Sequence, residues 1–446
     1  MTEAPPDDPR ARAAEPGGLL RILGVAFGLA VIVGSTLGIG ILRTPGLVAG
    51  QLTSRSSILV VWLVGGLYTL LGSVCLTELG TMLPQAGGYY VYARRAFGDT
   101  VGFAVGWSDW ITYCAVLGYV TIAMGEFSAV LVPSLDPAIK LIAVGVLVFF
   151  AVLQWAGLRM SSLFQEATTA VKFLAFLALV AAGFAHAASS PAPAADRATV
   201  LPHAPGVVGL VVALQSVLIT YGGWQSALYF TEEDRDPRRN LPRSMIGGVL
   251  SVLVIYLLVN LALLSVLSVA ELAGSTLPAA DAAKVIFGGR GAQIITLLSL
   301  VSLPPLVNAI MMIGTRILFA MGRDGLLWPR TAVVNERGTP VMATLVTTAV
   351  AVVLIWSGTF QRLVAVASFF LAANYCVSCL ALVMLRRREP LRERPFRAWG
   401  YPWSAGIVLA GAAAFLIGVF LGDTRTALVA TGLLAAGLVG KGWVSR

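Results

Sequence analysis

The stretch VIVGSTLGIGILRTPG, residues 31–46, carries the densest set of groups able to hold a small polar molecule. Gly34, Gly38 and Gly40 interrupt an apolar run, Ser35 and Thr36 add hydroxyls, and Arg43 stands before Pro45. A second set lies in LQSVLITYGGWQSALYF, where Ile219 is followed by Tyr221, Gly222, Gly223, Trp224 and Gln225. Neither set contains a nucleophile–base pair or a metal-ligand cluster, so intramembrane enzyme chemistry has no starting point. What the glycines offer is backbone. A half-helix beginning near Ile39 aims free N–H groups and a partial positive charge into the gap. Half-helices ending near Val33 and Ile219 aim free carbonyls. The first suits a carboxylate and the second an ammonium. Together they fit the head of an α-amino acid with no charged side chain required.

Three ionisable residues lie close to these sets. Lys172, in ATTAVKFLAFLALV, sits in an apolar segment, where charge is costly and functional by default. The competing reading is a lysine that reaches the cytoplasmic interface, because only one or two turns precede it. Asp109, in GWSDWITY, fits a structural ion pair with Lys172 or Arg316, or a proton site. Arg43 fits an arginine snorkelling in an outer vestibule, an outer gate, or a partner for an anionic substrate side chain. Glu232, Glu233, Asp234 and Asp236 alternate with Arg235, Arg238 and Arg239. They read as a solvated charge network able to close an inner gate. Cys75, Cys114, Cys376 and Cys379 all fall in apolar segments and read as small core residues, with no disulfide framework. His186 and His203 border a Pro/Ala-rich loop, so no metal is expected.

The elements that must position these groups are membrane helices. Apolar residues make up 57% of the 446 and charged residues 12%, about half the charge of a soluble protein. The apolar runs are continuous and about twenty residues long, as helices that cross hydrocarbon require, and this excludes a β-barrel. Twelve spans are predicted near 20–50, 56–82, 97–132, 138–157, 166–188, 206–231, 244–269, 291–320, 341–358, 361–385, 403–421 and 424–442. Residues 1–18 read as a disordered tail, and the segment from Glu271 to Arg290 has room for a small surface helix. With twelve spans, 22 of the 31 lysines and arginines fall on the side of both termini and 8 on the other, leaving Lys172 inside. That bias predicts cytoplasmic termini in a cytoplasmic membrane. It also explains the net charge of +9 without nucleic acid as a partner.

Gly34 and Gly38 also form a GxxxG packing face, the competing explanation for glycine in a span. The tighter cluster Gly38-Ile39-Gly40, the adjacent hydroxyls and the second glycine-rich break five spans later favour two unwound helices. Paired interruptions of this kind mark a transporter site. Backbone unwinds at mid-membrane only where protein or a water-filled cavity covers it.

At these residues the chain resembles the amino acid–polyamine–organocation superfamily, and within it the L-type amino acid transporters and their bacterial relatives. The likeness rests on TLGIGILRTPG, TELGTMLPQAGGYYVYARRAFG, YGGWQSALYFTEEDRDPRRNLPRS, TRILFAMGRDGLLWP and RPFRAWGYP, in that order. It implies an all-α polytopic fold. Two inverted five-helix repeats, 19–188 and 206–385, would have their first helices broken, and two further helices would lie at 403–442. It implies that Thr36, Gly38, Ile39 and Gly40 line the ends of the substrate site and that Ile219 takes the place of an aromatic lid. Gly222, beside Tyr221 and Gly223, would face the ammonium. Trp224 and Gln225 follow it, and Asn308 would be a polar wall residue. Relatives carry a lysine at position 172 where sodium-coupled cousins bind Na⁺, so an ammonium on oxygens of spans 1 and 8 would replace the ion. The chain departs from the pattern at Ile39, where a small Ser is usual, at Ile219 and at Arg43. The loop VPSLDPAIK lacks the cysteine by which heterodimeric animal members bind a heavy subunit, so none is expected. The resemblance thus implies a sodium-independent amino acid carrier working by alternating access, as exchanger or proton symporter, with no cofactor. An amine or polyamine carrier is the alternative, and a channel or sensor on the same fold a remoter one.

Overall fold

A computed structural model describes residues 18–52, 54–189, 206–357, 360–422 and 424–444. The expected tail and most of the Pro/Ala-rich loop, with His203, lie outside these residues. Among them every named element is helical. Helix α1 (Val25–Thr36) and α2 (Ile39–Ala49) meet at a 46° bend, and α3 (Arg55–Met82) follows. A short α4 (Tyr89–Phe97) leads into α5 (Asp99–Leu131), α6 (Ile139–Trp155) and α7 (Leu158–Ser189). Helix α8 (Gly206–Thr220) turns through residues 221–223 into a 3-10 helix, Trp224–Phe230, before α9 (Pro237–Val266). Two small helices, α10 (Val269–Gly274) and α11 (Pro278–Phe287), precede α12 (Gly291–Ser302) and α13 (Pro304–Arg323). The chain ends with α14 (Val341–Ser357), α15 (Phe360–Arg388), α16 (Trp403–Gly422) and α17 (Thr424–Val444).

Eight helical segments among the described residues are long and apolar enough to cross a membrane, or nine if the bent α1–α2 pair is one span. Three shorter apolar helices lie at Val341–Ser357, Trp403–Gly418 and Leu428–Leu438. The elements differ from the expected spans in four places, the first being α9, which starts at Pro237 instead of 244. Helix α7 starts at Leu158 instead of 166, so fourteen residues, about four turns, precede Lys172. The interface reading of that lysine is therefore wrong. The expected span 291–320 is divided between α12 and α13 at Leu303, just before Pro304 and Pro305, because neither proline can donate to the preceding turn. The loop before α5 contains α4, hidden in sequence because it is short and nearly all buried.

Ion pairs cluster on the arginine-rich side of the bundle. Glu233 and Arg316 are both buried and joined twice, at 2.9 and 3.1 Å. Glu232 takes Arg323 at 2.7 Å and the Ala86 N–H at 2.9 Å. Asp324 takes Arg94 at 2.7 Å and the Tyr90 hydroxyl at 2.8 Å. Buried Glu78 is bound by Arg386, approached by Arg394 and receives the Ala398 N–H, which ties the loop after α15 to the end of α3. The expected solvated network around Glu232 and Glu233 is thus corrected. Glu233 is buried against α13, Glu232 makes a partly exposed pair with Arg323 of the same helix, and Arg238 and Arg239 make exposed pairs with Glu393 and Asp236. The start of α1 is stitched to the same region: Leu23 N–H donates to Glu233 O at 2.9 Å and Arg235 N–H to Leu23 O at 3.0 Å.

A buried pair stripped of one member leaves an uncompensated charge. Arg316→Met is therefore expected to destabilise the protein by about 3–5 kcal/mol, and Glu233→Gln/Arg316→Met to recover most of that loss. Thermal unfolding midpoints in detergent check this. Equal losses in the two variants would contradict it.

Candidate functional site

The two interruptions touch each other. Gly223 has φ +116°, a conformation that side chains resist, and a Cβ there would stand 2.7 Å from the carbonyl carbon and oxygen of Ser35. Glycine lets the turn after α8 lie directly on the end of α1. On the other flank of α1 a Cβ on Gly34 would stand 2.5 Å from Gln165 Nε2 and 2.6 Å from Thr169 Oγ1, so Gly34 is a packing glycine. Gly38 is different: its backbone is extended, and a Cβ there would meet nothing within 4 Å. The packing reading thus holds for Gly34 and not for Gly38. The helical break is narrower than 34–40, confined to Leu37 and Gly38.

The carbonyls at the break are mostly engaged. Leu37 N–H closes on Val33 O at 2.9 Å, and the buried Lys172 Nζ donates to Gly34 O at 2.8 Å. The Tyr256 hydroxyl lies 2.7 Å from Thr36 O and 2.9 Å from Thr220 O, between the last carbonyls of α1 and α8. The amide end is bare. No side chain caps α2, whose first turn opens from Gly38 through half-buried Ile39 to exposed Gly40. The Ser35 and Thr36 hydroxyls beside it are buried and have no hydrogen-bond partner. Buried hydroxyls normally find partners, and two orphans next to an uncapped helix start define a place where an anion would be stabilised.

A cavity of about 150 Å³ adjoins the breaks. Ser35, Ile219, Gly222, Gly223, Gln225 and Ser226 form one wall. Helix α5 supplies Thr112, Tyr113, Val116 and Tyr119, α13 supplies Leu306 and Ile310, and α15 supplies Val364, Ala367, Ser368 and Leu371. Among the described residues, no charged side chain lines it. On this scale about 150 Å³ accepts a molecule of roughly six to eight non-hydrogen atoms.

The structure separates the residues singled out in sequence. Ile219, Gly222, Gly223 and Gln225 line the cavity; Thr36, Gly38, Ile39 and Gly40 lie at the bare end of the break. Tyr221 turns away, with its ring 4.9 Å from Tyr256 and its hydroxyl on Trp62 O at 3.2 Å. Trp224 lines a separate apolar pocket against Tyr375. Asn308 is held away from the cavity, between Gln154 at 2.9 Å and Gln165 at 2.9 Å, and so joins α13 to α6 and α7. Asp109 forms neither expected ion pair, since Arg316 is taken by Glu233 and Lys172 by Gly34 O; it accepts instead from the Tyr229 hydroxyl at 2.7 Å. Lys172 reaches its span 1 oxygen, but no bond to α13 accompanies it among the described residues. Arg43 is exposed and its charge reaches Glu126 of α5. Sequence reasoning missed the α5 and α15 walls. Their spacing, 112, 116, 119 and 364, 367, 368, 371, is that of one helix face, yet nothing in it distinguishes a cavity face from a packed one.

The amino acid permease family profile matches residues 23–440. The chain is similar to the serine/threonine exchanger SteT of Bacillus subtilis, 27% identical over 92% of this chain and 94% of that protein. It is equally similar to the mouse b(0,+)-type amino acid transporter 1, at 27% over 85% and 79%, and to the human Asc-type amino acid transporter 1, at 27% over 92% and 84%.

The two glycines at the break are expected to respond oppositely to one added methyl. Gly223→Ala should cost about 1–3 kcal/mol through φ and the contact with Ser35. Gly38→Ala should leave the unfolding midpoint unchanged. A midpoint for Gly223→Ala equal to the parent's would refute the close approach.

Proposed function

The chain belongs to the amino acid permease family, and from that premise we propose that it exchanges small neutral α-amino acids across the cytoplasmic membrane. The observation that carries this reading is the bare α2 start with its two orphaned hydroxyls, opposite the carbonyls that end α8 and beside a small uncharged cavity. The substrate carboxylate takes the Ser35 and Thr36 hydroxyls and the Gly38–Gly40 amides. Its ammonium takes carbonyls near Ile219 and Gly222, and its side chain points toward Tyr113, Val116 and Ile310. The Serine/threonine exchanger named among the relatives is consistent with that size.

Twelve spans, with 19–188 and 206–385 as inverted repeats, accommodate the nine long segments and the three shorter helices. Leu306 and Val364 lie near the starts of α13 and α15, whose opposite ends carry Arg323 and Arg386. The cavity therefore lies nearer the side away from the arginines, which is consistent with an outward-facing carrier with cytoplasmic termini. Arg43 and Glu126 stand on that side as an outer gate. Lys172 holds a fixed ammonium on the last turn of α1, which removes the need for a sodium ion there.

Protein reconstituted in serine-loaded liposomes is expected to take up labelled serine about tenfold faster than in empty ones at symmetrical pH, unchanged when choline replaces sodium. Small neutral amino acids should compete, and amines lacking a carboxylate should not. Competition by polyamines but not by serine would overturn the substrate class. Lys172→Met and Lys172→Ala should each lower exchange at least about tenfold, sodium giving no rescue. Wild-type rates in both would remove the role given to Lys172.

A further inference from the structure

Asp109 is a buried carboxyl with no countercharge among the described residues. It is fully shielded from solvent, and its Oδ1 has no hydrogen-bond partner, while Oδ2 accepts from the Tyr229 hydroxyl at 2.7 Å. The titratable groups that face it are all tyrosines: Tyr113 on its own helix, Tyr229 on the 3-10 helix, Tyr89 on α4 and Tyr375 on α15. Helix α15 also turns Asn374 toward it, with the amide Nδ2 likewise unpartnered. Helix α13 packs along α5 but gives its arginines, Arg316 and Arg323, to Glu233 and Glu232. An ionised carboxylate is strongly disfavoured in such a place. A protonated one carries no charge to solvate, and Tyr229 still donates to Oδ2.

The carboxyl is also connected to the cavity. Tyr113 lines the cavity, its ring meets Tyr229 edge-on at 5.5 Å, and its hydroxyl lies beside that of Tyr229. Gln225 Nε2 reaches the Tyr113 hydroxyl at 3.5 Å. Two hydroxyls therefore link the ligand cavity to Asp109.

We propose that Asp109 carries one proton inward with each substrate, loaded from the cavity through Tyr113 and Tyr229. The proposal rests on the transport reading above. A hydronium in the cavity gives a proton to the Tyr113 oxygen, Tyr113 passes its own to Tyr229, and Tyr229 passes its own to Asp109. One O–H bond forms on the carboxylate, and each tyrosine ends with the single proton it began with. Tyr229 belongs to the half of the broken helix that Glu232 and Glu233 hold to the arginine-rich side. Movement of that half away from α5 withdraws the hydroxyl, exposes the carboxyl to water on that side and releases the proton there.

The test uses the full-length protein in empty liposomes with the outside made acidic and a pH-sensitive dye inside. At one proton per substrate, a tenfold proton gradient supports up to about tenfold serine accumulation, and the dye should report acidification on adding serine. Asp109→Asn should abolish both while serine–serine exchange at symmetrical pH stays within about threefold of the parent. Tyr229→Phe should lower the acid stimulation at least about threefold. Parent protein that exchanges serine but shows neither accumulation nor acidification would overturn the proton proposal and leave the amino acid reading standing. Absence of exchange in the parent would overturn that reading itself. Full acid stimulation in Asp109→Asn would overturn the assignment to this residue. If that variant fails to fold, unaltered stimulation in Tyr229→Phe would overturn it instead.

Discussion

A helix interrupted in hydrocarbon leaves peptide groups that water cannot satisfy, and most of this molecule is arranged around that constraint. The protein meets it on one side only. The Tyr256 hydroxyl stands between Thr36 O and Thr220 O, with a single proton for two acceptors. Lys172 covers Gly34 O. The donors of the α2 first turn and the hydroxyls of Ser35 and Thr36 have no such cover. The unmet demand is therefore for acceptors, and a carboxylate is the smallest group that meets several of them at once.

The surroundings hold this asymmetry in register. Gln165 and Thr169 both donate to Ala30 O, at 3.3 and 3.0 Å, which fixes α1 on α7 about two turns before the break. Gln165 in turn bonds Asn308, and Asn308 bonds Gln154, so α6, α7 and α13 share one buried polar chain. Such a chain is costly to satisfy in part and specific when satisfied in full. Among the described residues, the buried Lys172 contacts the last turn of α1, while the buried Asp109 contacts the 3-10 helix that follows α8.

Both breaks were legible in the sequence, because Gly38 beside Leu37 and the Tyr221-Gly222-Gly223 triplet violate the economy of an apolar helix. Helix starts and ends followed from the same reading within a few residues for α2, α3, α5 and α8. Side-chain direction did not follow. Tyr221, Trp224 and Gln225 are nearly consecutive, yet one joins an aromatic cluster, one faces a separate pocket and one lines the cavity, because a turn and a 3-10 helix rotate them by amounts that no period of 3.6 describes. Asn308 looked like a polar wall because it is polar, but its partners come from residues about 150 positions away, beyond local pattern. Asp109 misled for the same reason: its nearest plausible cations were already spent on Glu233 and on a backbone carbonyl.

The pairing of Leu23 with Glu233 and Arg235 joins the lower ends of two segments that come from opposite halves of the chain. Two backbone hydrogen bonds couple these ends, so a displacement of either would be passed to the other. If the carrier proposed above opens on this side, that coupling would make the two ends part together, and a membrane that must keep its ions apart would gain from a door with no half-open position.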